Sequence, residues 1–159
     1  MSKYQWLLFL HVTGAFFLIG GSVIAATLMI AARRRQRPSE IALLLGLVLI
    51  GVVAIGVGVL MTLVFGLWLV SAAPYNYSYG SFWIVAAITL WVVSNALGWA
   101  GSGRDRRTRE LAQRLAAEGD APSDELNARL RDPVTMLAQY GSGLGILLLL
   151  IDMIWKPGA

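Results

Sequence analysis

The sequence predicts an all-α membrane protein, a bundle of four transmembrane helices with a short cytoplasmic helical hairpin between helices 3 and 4. Of its 159 residues, 57% are hydrophobic and only 14% are charged, a composition typical of membrane proteins. Four apolar stretches each exceed the roughly 18 residues that indicate a spanning helix. They cover residues 4–32, 41–73, 82–100 and 134–155, so the whole chain 1–159 is predicted to form one integral membrane domain.

The first stretch is predicted to be a membrane span rather than a cleaved signal peptide. Its apolar run continues to Ala32 and is followed directly by Arg33, Arg34 and Arg35. A cluster of arginines after a long apolar run acts as a stop-transfer signal and stays in the cytoplasm. The end of the first helix is therefore expected inside.

The distribution of basic residues extends this orientation to the whole chain. Eleven of the thirteen are arginines, confined to 33–40 and 104–131, whereas Lys3 and Lys156 lie near the two ends. Positive residues favour the cytoplasmic side, so both arginine segments are predicted inside and both termini outside. Seven acidic residues lie in 104–132 among seven arginines. This balance indicates a salt-bridged helical surface, and nucleic acid is not an expected partner.

Local patterns set the helix boundaries. Ser39 precedes the second helix, and Asp132 followed by Pro133 precedes the fourth, as expected for helix N-termini. Within the cytoplasmic loop 101–133, helical composition is interrupted at 119–122, which predicts a hairpin at the membrane surface. Aromatic residues predict an interfacial belt at the outer face: Tyr4, Trp6, Trp68, Tyr75, Tyr77, Tyr79, Trp83 and Trp155.

Few residues in the apolar stretches can carry chemistry. There is no cysteine and only one histidine, so one copy of the chain forms neither a thiolate site nor a multi-histidine metal site. No nucleophile elbow and no phosphate-binding glycine loop is present, so the sequence favours a protein that is not an enzyme. Whether any residue binds a metal ion is unknown from the sequence.

His11 is the main candidate for a functional residue, because an ionisable group at this depth of a membrane is costly. It is interpreted as a neutral imidazole bonded to a neighbouring helix, as a haem ligand, or as a residue that handles a proton or a metal ion. Met153 lies at a similar depth and is the candidate second haem ligand. Asp152 is either an interfacial carboxylate or the partner of His11 in a structural polar pair.

Small and polar residues predict helix packing. Gly141 and Gly145 form a G-x-x-x-G pair, and Gly21 with Ala25 and Ala54 with Gly58 repeat the small-x-x-x-small spacing. Asn95 is expected to hydrogen-bond across helices. These patterns predict close contacts within the chain or between copies.

Four segments resemble a bacterial integral-membrane family: LHVTGAFFLIGG in the first helix, GSFW at the start of the third, RDP after the arginine-rich loop, and the closing WKPG. The chain is similar over most of its length to the domain of unknown function numbered 2269, which implies the fold but no activity. The first helix is also similar to those of CopD copper-resistance proteins and HemJ-type protoporphyrinogen oxidases. From that likeness only His11, Gly14, Gly20 and Gly21 carry over.

Three functional hypotheses follow. The first is a non-enzymatic inner-membrane protein, either an accessory or assembly subunit of a larger membrane complex or a homo-oligomer, with no required cofactor. The second is a haem-binding redox protein that uses His11, with Met153 or the His11 of a second copy as the other ligand. The third is a small permease for solutes or metal ions.

Overall fold

In a computed structural model, which describes residues 2–72 and 78–157, the chain is all-helical. Its five described helices are α1 (Lys3–Ala32), α2 (Pro38–Ala72), α3 (Phe82–Ala117), α4 (Asp124–Leu130) and α5 (Pro133–Trp155). Four helical segments are long and apolar enough to cross a membrane, and they contain α1, α2, α3 and α5. The predicted fold class is therefore confirmed. Tyr75 and Tyr77 of the predicted aromatic belt lie outside the described residues, as does residue 73, the predicted end of the second span.

Hydrogen bonds at the helix ends explain where the helices begin. Ser2 and Gln5 form a reciprocal capping box at the start of α1. The Asp132 carboxylate accepts a bond from the Thr135 backbone N–H at 2.9 Å, with Pro133 in the first turn of α5. The expected role of Ser39 differs, because α2 already begins at Pro38 and Ser39 lies within its first turn.

α3 is one continuous helix of 36 residues, so it continues well beyond the predicted span 82–100. Nothing between residues 101 and 117 ends the helix, since isolated glycines such as Gly101 and Gly103 weaken a helix without breaking it. The helix stops where Gly119 and Asp120 adopt positive φ angles of 122° and 58°. The hairpin is thus formed by the last turns of α3 and by α4.

The hairpin packs on the ends of α1 and α2 instead of lying on lipid alone. Its apolar residues join those of α1 and α2 in a buried cluster: Met29, Ala32, Ile41, Leu45, Leu111, Ala112, Leu126 and Leu130. The Asp120 carboxylate accepts bonds from the Ser39 backbone N–H at 2.7 Å and from the Ser39 hydroxyl at 2.6 Å. The hairpin therefore caps the N-terminus of α2. We call this end of the bundle the arginine end.

α1 and α2 form the closest helix pair, because small residues let their backbones touch. A Cβ atom at Gly21 would lie 2.7 Å from the Gly51 carbonyl oxygen, and one at Gly58 would clash with the Leu18 backbone. Such contacts are typical of membrane helices packed through glycine. The small-residue pairs at 21/25 and 54/58 are consequently used within the chain.

α3 and α5 form the second pair, and α2 packs against α3 to join the two pairs. Both glycines of the G-x-x-x-G pair face α3: Gly145 packs on Ser94, and a Cβ at Gly141 would lie 3.2 Å from Leu97 Cδ1. α1 and α5 pack far less closely than these neighbours. They are joined at the arginine end, where Arg33 Nη2 donates to Gln139 Oε1 at 3.0 Å. The side between α1 and α5 is thus less closely packed than the contacts of α1 with α2 and of α3 with α5.

Candidate functional site

A cavity of about 270 Å³ lies between the two helix pairs, at the end opposite the arginines. Lys3 and Lys156 are at this end, where their ammonium groups lie 5.3 and 5.5 Å from the ring centroids of Trp68 and Trp83. Every transmembrane helix contributes to a largely apolar wall, in which the residues with polar or sulfur groups include His11, Thr62, Trp83, Trp91, Met153 and Lys156.

His11 is oriented by the backbone of α2. Its Nδ1 lies 3.0 Å from the Thr62 carbonyl oxygen, which can only accept a hydrogen bond, so Nδ1 carries the proton. In a neutral imidazole the other nitrogen, Nε2, then keeps its lone pair. No described residue hydrogen-bonds to Nε2. This is the state of an imidazole that can ligate a metal or accept a proton.

Gly66 provides the space for the imidazole. A Cβ atom at this position would lie 3.0 Å from His11 Cε1 and 3.1 Å from His11 Nδ1, closer than ordinary van der Waals contact. Thr62 and Gly66 were not predicted as site residues. Their spacing of four residues, with small or short side chains on one face of α2, is the only signal in the sequence that could have identified them.

Met153 lines the same cavity from α5. Because α1 and α5 belong to different helix pairs, His11 and Met153 enter the cavity from different walls. The two residues considered as haem ligands are therefore brought to one site. A thioether and an imidazole are a ligand pair used for haem iron in electron-transfer proteins.

Asp152 does not form the predicted pair with His11. The described residues show neither a hydrogen bond nor an ion pair between them, and the Asp152 Oδ2 atom, in a residue only 8% exposed, has no partner there. Asp152 lies two turns from Gly145, on the face of α5 that packs on α3, whereas Met153 is rotated by about 100°. The prediction rested on similar depth in the membrane and did not consider which face of each helix the residues occupy.

Asn95 also differs from its predicted role. Its Nδ2 donates to the Trp91 carbonyl at 2.7 Å, one turn earlier in α3, so this bond lies within one helix and does not join two. The close contacts between α3 and α5 are those at Gly141 and Gly145.

A second polar cluster joins the helices at the arginine end. Arg33 Nε donates to the Leu130 carbonyl at 3.0 Å, and Gln139 Nε2 donates to Asp105 Oδ2 at 3.1 Å. Burial raises the pKa of Asp105, and this effect exceeds the lowering by the Gln139 hydrogen bond and by the charge of Arg33. The sequence pattern indicated only solvated charges here, because it does not reveal which arginine points inward.

A family model described as a predicted integral membrane protein, DUF2269, matches residues 5–157. The chain belongs to the DUF2269 family. The resemblance to the domain of unknown function numbered 2269 is thereby confirmed, and it agrees with the four spans of the structure. Comparison with curated proteins and with solved structures gives no match.

In this DUF2269 protein, residues 2–72 and 78–157 contain no group of three or more His, Cys, Asp or Glu side chains that could hold a metal ion. The cavity presents one imidazole and one thioether in a largely apolar wall.

Proposed function

We propose that this protein is a non-enzymatic subunit of the bacterial inner membrane that holds a haem-type group through His11. The observation that carries the proposal is the hydrogen bond from His11 Nδ1 to the Thr62 carbonyl, which leaves Nε2 available inside an apolar cavity. A proximal histidine fixed by a bond to a backbone carbonyl is a recurrent arrangement around metals. Met153 is the proposed second ligand.

The size of the cavity limits how such a group could be held. Drug-sized ligands occupy pockets of about 300–1,000 Å³, and a haem is larger than most of them. The cavity of about 270 Å³ is only partly enclosed, so it could hold part of a macrocycle. When bound, the group would supply one-electron transfer.

The proposed orientation places the arginine end in the cytoplasm and both termini outside. Eleven arginines occur at that end, and the lysine at each terminus lies at the other. In this orientation the cavity opens towards the outer leaflet. A subunit that carries a cofactor also fits an accessory or assembly role, whereas the alternative permease role has no specific support from the arrangement of the described residues.

An absorption spectrum tests the proposal. The protein is expressed in cells supplied with haem and purified in mild detergent, and a Soret band with about one haem per chain is expected. His11→Ala should lose the band. Asp152→Asn is the matched control, since Asp152 lies at the same end but outside the cavity, and it should keep the band. Folded protein that is purified from haem-supplied cells and shows no Soret band would refute haem binding.

Two further variants test the geometry while keeping His11. Gly66→Ala places a methyl group 3.0 Å from His11 Cε1, so the imidazole must shift and the Soret maximum should move. Met153→Leu would remove the proposed thioether ligand and should change the absorption spectrum, whereas Met136→Leu, outside the cavity lining, should leave the spectrum unchanged. A spectrum that Met153→Leu does not alter would remove Met153 as a ligand.

A further inference from the structure

The charges around the cavity that contains His11 are unevenly distributed. Among the described residues that line it, Lys156 is the only lysine or arginine, and no carboxylate is present. The acidic residue one turn earlier in α5, Asp152, faces α3 and does not line the cavity. A lysine can lay its apolar stem along such a wall and keep its ammonium group at the rim. The cavity is therefore apolar, with a positive charge at the end opposite the arginines.

The backbone at Lys156 holds this side chain against the wall. Lys156 ends α5 in the left-handed conformation, with φ 43° and ψ 62°, which glycine adopts at a lower cost than lysine. Its backbone N–H donates to the Asp152 carbonyl oxygen at 2.8 Å. Its ammonium nitrogen lies 5.5 Å from the ring centroid of Trp83, a lining residue that is 6% exposed. Costly backbone conformations cluster at functional sites, which makes Lys156 a candidate for a binding residue.

Lys3 provides a comparison within the same molecule. It lies at the same end of the bundle, in the first turn of α1, and its ammonium nitrogen is 5.3 Å from the ring centroid of Trp68. Neither Lys3 nor Trp68 lines the cavity. The two lysines therefore share a charge, an end of the bundle and a contact with a tryptophan ring, but only Lys156 borders the cavity.

We infer that the ligand of this cavity carries an acid group, which Lys156 binds at the mouth. This rests on the proposed function, since a haem-type macrocycle carries carboxylate groups at one edge. His11 lies seven residues, about 10 Å, further along α1 than Tyr4, which lines the cavity in the first turn of that helix. The acid edge of a macrocycle bound at His11 would thus lie towards Lys156. A carboxylate in an apolar cavity is costly unless it is paired, so this lysine favours acidic ligands over neutral ones.

Binding of the iron-free macrocycle of haem tests this pairing without any ligation by His11. The dicarboxylic acid and its dimethyl ester are titrated into the purified protein in a neutral detergent, and binding is followed by the fluorescence of the macrocycle. Relative to Lys156→Met, the wild-type protein should bind the acid roughly 5- to 20-fold more tightly, as expected for an ion pair at a half-buried site. It should bind the ester equally well, which also shows that the cavity of the variant is intact. Lys156→Arg and the matched control Lys3→Met should bind both compounds like the wild type.

The outcomes separate the acid site from haem ligation. If Lys156→Met binds the acid as tightly as Lys3→Met does, or if no form of the protein binds it, the role of Lys156 is overturned even where a Soret band supports haem binding. If the acid binds through Lys156 but haem gives no Soret band that depends on His11, the acid site stands and the proposed ligation fails. Oleate carries the same acid group on a flexible chain. Displacement of the iron-free macrocycle by oleate at lower concentrations than by haem would assign the cavity to a fatty acid and overturn the macrocycle as its ligand.

Discussion

Two glycines in α2, Gly56 and Gly58, should respond in opposite ways to replacement by alanine. One substitution should raise the free energy of unfolding and the other should lower it. A Cβ atom at residue 58 would lie 2.7 Å from the Gly14 carbonyl oxygen and 2.8 Å from Leu18 Cα, whereas one at residue 56 would meet nothing within 4 Å. Ordinary contact begins at 3.4 Å and the Leu18 backbone nitrogen lies closer still, so Gly58→Ala requires α1 and α2 to separate by more than about 0.7 Å, which is 3.4 minus 2.7. Gly56→Ala requires no movement.

The expected energies follow from two opposing effects. Replacing glycine by alanine inside a helix gains up to about 1 kcal/mol, and overpacking costs about 1–3 kcal/mol. A gap of 0.5–1 Å also forfeits a quarter to a half of each dispersion contact, and here it would extend along the interface. We therefore expect Gly58→Ala to lower the free energy of unfolding by about 1–2 kcal/mol, and Gly56→Ala to raise it by about 0.5–1 kcal/mol.

Reversible unfolding in mixed micelles, followed by circular dichroism, measures both values. The comparison is internally controlled, because the two variants share the helix, the substitution and the detergent. If Gly58→Ala were as stable as Gly56→Ala, the close contact between α1 and α2 would not contribute to stability, and the interpretation of the glycine contacts would be wrong.

Three further outcomes are expected. In α5, Gly145→Leu should disrupt the packing on α3 and lower thermal stability, whereas Gly143→Leu, with nothing within 4 Å of its Cβ, should have little effect in a thermal melt. A single cysteine in place of Arg107 should be labelled only from the cytoplasm by a membrane-impermeant reagent, and labelling from outside would overturn the proposed orientation. Hydrogen bonds from Ser39 lower the pKa of Asp120, so their contribution to stability is present above the ordinary pKa of aspartate and is lost as pH falls through the lowered pKa. Asp120→Asn should therefore reduce the dependence of the melting temperature on pH. An unchanged profile would show that the contact is not maintained in solution.

Hydropathy predicted the spans because the length of an apolar run reports directly on membrane thickness. It did not predict that α3 continues to Ala117, since the charged residues after position 103 look like a loop on a hydropathy scale although their helical propensity is high. Depth in the membrane could also be predicted from the sequence, and His11 and Met153 were predicted to lie at a similar depth. The direction in which a residue points around its helix could not be predicted, because this direction depends on which helices pack together.

The pairing of helices also explains why Asp152 was assigned to the wrong neighbour. Glycine spacing marks a packing face but does not identify the helix that covers it. Once α5 packs on α3 through Gly145, Asp152 is turned towards α3, and the next residue, Met153, lines the cavity. One residue along a helix changes direction by about 100°, so a prediction from depth alone could not distinguish the two.

The unbroken α3 has a mechanical consequence. Trp83 lines the cavity at one end of this helix, and Leu111 belongs to the buried cluster under the hairpin at the other. Leu111 follows Trp83 by 28 residues, a distance of about 42 Å at 1.5 Å per residue, and the helix between them contains no proline but can bend at Gly101 and Gly103. We expect a protein that tilts the hairpin to displace Trp83 in the cavity wall as well, by an amount that depends on the bending at these glycines. The arginine end and the cavity are thus connected through a single helix.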